Sequence, residues 1–65
     1  MNAFDLDILR SANLMIGQHG DLAVEKARER VADLQAKGDR EGADVWLQII
    51  VAVEMLRQPR PSYLS

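Results

Sequence analysis

The sequence predicts an all-α domain of three helices, each antiparallel to the one before it. Three observations carry this. Apolar residues recur at three- and four-residue spacing along the chain; the dipeptide Gly-Asp occurs twice, at Gly20-Asp21 and Gly38-Asp39; and Pro59 and Pro61 stop any helix near residue 57. Each Gly-Asp step reads as one helix closing and the next opening, because glycine tolerates left-handed backbone and aspartate accepts hydrogen bonds from a first turn. Connections this short favour antiparallel neighbours.

The first helix is expected over about 3–17. At about 100° per residue, Phe4, Ile8, Leu9, Ala12, Met15 and Ile16 fall in one sector. Phe4, Ile8, Ala12 and Met15 are therefore expected in the core. Asn2 is the expected N-cap, Asp5 and Asp7 suit the positive end of the helix dipole, and Gly20 can end the helix, although Gly17 weakens the last turn. Leu6 and Leu14 stand outside the stripe.

The second helix is expected over 22–37, with Asp21 as its N-cap. Val24, Ala27, Val31 and Leu34 make a narrow apolar stripe, and the rest is filled with Glu, Lys and Arg. Glu25 with Arg28, and Lys26 with Glu29 and Asp33, place mixed charges at neighbouring helical positions, which reads as a solvated face. Lys37 before Gly38 fits a helix C-terminus.

The third helix is expected over 40–57, with Asp39 as N-cap and Glu41 in its first turn. From Val45 to Leu56 only Gln48 and Glu54 are polar, so the helix is apolar around most of its circumference. One broad sector holds Val45, Trp46, Ile49, Ile50, Val53 and Leu56, the side expected to face the other two helices. Trp46 reads as a core anchor. Leu47, Val51 and Met55 form a second line at i, i+4, i+8, and leaving them in water forfeits roughly 1.5–3 kcal/mol each relative to burial. Leu47, Val51 and Met55 are thus the expected interface residues, with Leu6 and Leu14 as extensions of the same patch. The most economical cover for this line is a second copy, so a homodimer through the third helix is expected, with an unidentified protein partner as the alternative.

Composition bounds the rest. A chain of 65 residues is one domain, here 1–57, near the size where a single core gives marginal stability unless disulfides, metal or oligomerisation help. Cysteine is absent, which excludes disulfides, and one histidine without a thiolate makes a structural zinc site improbable. Neither metal nor cofactor is expected. The net charge of -2 gives no broad attraction to nucleic acid or to an anionic membrane. The N-terminus lacks the pattern of a secretory signal, and the apolar run 45–56 falls short of the roughly 20 residues that span a bilayer, so the expected location is the cytoplasm. Residues 58–65 read as an extended, mobile tail, with a docking peptide presenting Arg60 and Tyr63 as the alternative.

No catalytic constellation emerges. His19 ends the first helix, where it suits the dipole, and Ser11, Ser62 and Ser65 show no nucleophile-elbow spacing around it. The segment Gly38-Asp-Arg-Glu-Gly42 lacks the Gly-Lys-Ser/Thr ending of a phosphate loop. An enzyme is not expected. A helix-turn-helix use of the second helix, through Lys26, Arg28, Arg30 and Lys37, is a minor alternative, because there the last helix reads bases from a polar face and here it is the greasiest element.

The run from Ala12 to Leu56 carries His19-Gly20-Asp21, Ala27, Arg30, Asp33-Leu34, Gly38-Asp39, Gly42, Trp46, Ile49 and Ala52-Val53-Glu54. In these it resembles a family of short bacterial all-helical proteins of unknown function, which share the two Gly-Asp junctions and Trp-x-x-Ile in the last helix. The resemblance covers about two thirds of the chain. It implies the fold and a bacterial source and transfers no activity, since its motifs are caps and core residues. The chain departs from the family at the uncharged Leu47-Gln48, where basic residues are usual, and this enlarges the apolar patch. The resulting expectation is a small non-enzymatic interaction module, an adaptor or regulator. A DNA- or RNA-binding regulator and a structural subunit of a larger complex are the alternatives.

Overall fold

A computed structural model describes residues 6–57. The expected N-cap Asn2, the expected core residue Phe4, Asp5, and the tail 58–65 lie outside the described residues. Within them all but Lys37, Gly38 and Asp39 are helical, and there is no strand. Helix α1 spans Leu6–His19, a 3-10 turn spans Gly20–Leu22, α2 spans Ala23–Ala36 and α3 spans Arg40–Arg57.

The expectation of three separate helices is corrected here. Helical backbone continues from residue 6 to 36 through the 3-10 turn, so the chain makes two unbroken helical runs, 6–36 and 40–57. The first run bends at Gly20, whose φ of 56° is left-handed. Asp21 is not the N-cap of α2. That place falls to Leu22, which makes no side-chain cap, while Asp21 lies inside the 3-10 turn. A 3-10 turn satisfies backbone groups by i→i+3 bonding, here Ala23 N–H to the Gly20 carbonyl, which lessens the need for a side-chain acceptor.

The second junction forms as a true break. Gly38 has φ 80°, its N–H donates to the Gln35 carbonyl at 3.0 Å, and the Asp39 N–H donates to the Leu34 carbonyl at 2.9 Å. That pair of bonds is the Schellman ending of a helix. Asp39 then starts α3: its Oδ1 accepts from the Gly42 N–H at 2.9 Å and its carbonyl from the Ala43 N–H at 3.1 Å.

Helix α3 is the centre of the packing, with α2 its closest neighbour and α1 second. α2 and α3 run antiparallel. Their near ends join at 37–39, and at the far end the Arg57 guanidinium donates to the Gly20 carbonyl and to Asp21 Oδ1. The core joins Ile8, Ala12 and Met15 of α1, Ala23, Ala27 and Val31 of α2, and Ala43, Ile49, Ile50, Ala52 and Val53 of α3. Leu9, Ile16, Val24, Leu34 and Trp46 pack against it half-buried. Alanine supplies much of this core, and its small side chains let helix axes approach closely, which leaves little room between them for larger groups.

Two expected members of the core sector are corrected. Val45 is 43% exposed and Leu56 48%. Both fall between the buried Ile49 and Ala52 around the helix but lie towards its two ends, away from the buried 49–53 stretch.

Candidate interaction surfaces

The outer face of α3 is the first candidate. Leu47 and Val51 are each 45% exposed and Met55 59%, one above another along the side of the helix turned from the core. Gln48 and Asp44 border the line. No neighbouring helix reaches it, because α1 and α2 share the opposite half of the α3 circumference, where Ala43, Trp46, Ile49, Ile50 and Val53 lie.

The second candidate is a groove of about 570 Å³ where α1 and α2 diverge from their bend. Leu14, Met15, Gln18 and His19 line it from α1, Lys26, Glu29, Arg30 and Asp33 from α2, and Trp46 from α3. The Arg30 guanidinium stands 5.6 Å from the centroid of the Trp46 ring, a cation–π distance, so the indole anchors the helices with one face against a cation. Lys26 pairs with Glu29 at 3.7 Å, and Asp33 with Lys37 at 3.1 Å. The groove wall is thus a set of matched charges.

The structure separates the five residues that the sequence groups as one patch. Leu47, Val51 and Met55 share the outer face of α3. Leu14 lies in the groove beside Trp46, on another side of the molecule, and the exposed Leu6 lies on the α1 surface away from Ile8 and Ala12. Leu22, exposed in the 3-10 turn, escapes sequence reading because it follows the expected cap and fits no helical stripe. Arg57 also escapes it: its partners lie 36 and 37 residues away, and only the antiparallel return of α3 brings them together.

Charge on α2 is balanced, with Lys26, Arg28 and Arg30 against Glu25, Glu29 and Asp33. His19 is half-buried at the end of α1 and has only the mixed surroundings of the groove. Among the described residues no group of three His, Cys, Asp or Glu could hold a metal ion, and no helix is long and apolar enough to cross a membrane. No protein-family model matches the chain, and neither the curated proteins nor the solved structures contain a match to it.

Proposed function

We propose that the chain is a small protein–protein interaction module that acts through the outer face of α3, with a second copy as the partner. One observation supports this above the others. Leu47, Val51 and Met55 form a continuous apolar line on a helix whose opposite side is already buried, and exposed apolar surface of this kind gains roughly 25 cal/mol per Å² on being covered. The line is short. Three side chains give it a small apolar centre, and an association built on them is concentration-dependent. The nucleic-acid alternative draws no support from α2, where cations and carboxylates alternate and pair.

Light scattering behind size-exclusion chromatography, across a range of concentrations and at two salt levels, tests the reading. The wild-type chain should shift from monomer to dimer with concentration, and added salt should not weaken the dimer, as expected for apolar contact. Val51→Glu should weaken it by about two orders of magnitude, because a carboxylate at the centre of the line must be desolvated. Dimers that persist in both Leu47→Glu and Val51→Glu would sink the assignment.

A further inference from the structure

Gly20 is the one described residue with left-handed backbone inside a continuous helical run. It separates two helices of 14 residues each, and the residues after it, Leu22 (φ -93°, ψ 5°) and Ala23 (φ -58°, ψ -44°), are already right-handed. The bend leaves open space beside its glycine. A Cβ added at Gly20 would meet no atom within 4 Å, and α1 packs mainly on α3 rather than on α2. Arg57 clasps the bend from outside, through the Gly20 carbonyl and Asp21.

We infer that Gly20 is a hinge through which two copies of this chain exchange α1. Turning that residue to right-handed values joins 6–36 into a single helix, about 46 Å long at 1.5 Å per residue. α1 then leaves its own α3 and seats Ile8, Ala12 and Met15 on the α3 of a second copy, which returns its own α1. The exchange keeps the core contacts, because identical residues meet in an identical partner, and only the junction is new. At that junction Leu14 and Leu22, both exposed on either side of the bend, stand two turns apart along the straightened helix. They supply apolar surface where the two opened hinges meet. This association uses α1 and the bend, so it is independent of the outer face of α3.

The experiment compares Gly20→Ala with Gly20→Asn, both made in a Val51→Glu chain so that self-association through the outer face of α3 plays no part. Both side chains enter open space, but alanine resists left-handed backbone and favours a helix interior, whereas asparagine tolerates the left-handed region. Gly20→Ala should shift the equilibrium roughly tenfold to hundredfold towards dimer, and Gly20→Asn should stay close to its parent. The chain has no native cysteine, so Leu6→Cys and Lys37→Cys can carry a donor and an acceptor dye in labelled chains diluted into unlabelled excess. In the dimer the separation within one chain should lengthen to about 46 Å. Four results would each overturn the hinge: a Gly20→Ala chain that stays monomeric; a dimer that keeps the separation measured in the monomer; equal dimerisation of both variants; or loss of helix in Gly20→Ala while Gly20→Asn stays folded. The Val51→Glu chain with Gly20 intact reads the outer-face proposal separately.

Discussion

The two Gly-Asp junctions have the same two residues in the same order and different structures. At Gly38-Asp39 the glycine closes a Schellman ending and the aspartate caps the next helix at 2.9 Å. At Gly20-Asp21 the glycine is also left-handed, at φ 56°, yet the helical run continues, and the aspartate caps nothing and takes the Arg57 guanidinium instead. Local chemistry allows both outcomes. What separates them is that α2 and α3 pack on each other along their length after a tight break, whereas α1 and α2 pack less on each other and are both braced by α3. A junction between closely packed neighbours becomes a fixed corner, and one between elements that share a third neighbour stays a bend.

The sharpest way to break this comparison is to ask each glycine for a side chain. Gly38→Val should destabilise the fold by about 2 kcal/mol, since a β-branched residue at φ 80° is strained wherever it sits and the break at this corner offers no right-handed alternative. Urea melts followed by circular dichroism would read it, together with a fall in Tm of about 10 °C. A Gly38→Val chain as stable as wild type would mean that this corner too is adaptable. A side chain at Gly20 should cost less in stability, because the straight helix is open to it, and should appear in the oligomeric state.

Next in size is the cap. Asp39→Ala should cost about 1 kcal/mol and Asp39→Ser should recover most of it, because a hydroxyl can accept the same Gly42 N–H. Gly42→Ala should cost less than Asp39→Ala: its Cβ would come within 2.6 Å of Asp39 Oδ2 and push the capping carboxylate aside, while the helix propensity of alanine offsets much of that loss. Equal stability of Asp39→Ala and wild type, measured in the same urea melts, would remove the cap from the account of this junction.

The contrast between the junctions also marks how far the sequence could be read. The Gly38-Asp39 corner is encoded within a few residues, and so is the start of α3 at 40. The first junction depends on Arg57, far away along the chain, and no local rule distinguishes a capping Asp21 from one drawn to a distant cation. Burial was harder to read than helicity. Ala23, Ala43 and Ala52 are buried although a methyl group adds little to an apolar stripe, because close helix packing selects small side chains. Val45 and Leu56 went the other way, since a helix apolar on nearly all sides permits several arcs of equal hydrophobicity. The second line of α3 was visible as apolar surface in excess of what two neighbours can cover. The Trp46 groove was not, because three helices assemble it and no single stretch of sequence contains it.

The smallest effect is the most discriminating. The Asp21 side chain is 93% exposed, so its ion pair with Arg57 contributes a few tenths of a kcal/mol, and Asp21→Ala should lower stability by no more than that, with the loss vanishing in 1 M salt. Arg57→Ala should cost more, about 1 kcal/mol, because it removes the bond to the Gly20 carbonyl and the packing of the aliphatic stem, and salt should leave most of that loss in place. Urea melts of the two single variants and the double variant, at low and high salt, would separate these contributions. If Asp21→Ala instead cost as much as Asp39→Ala at both salt levels, Asp21 would be acting as a backbone cap. The two junctions would then differ in shape alone, and the clasp would lose its role in holding the bend.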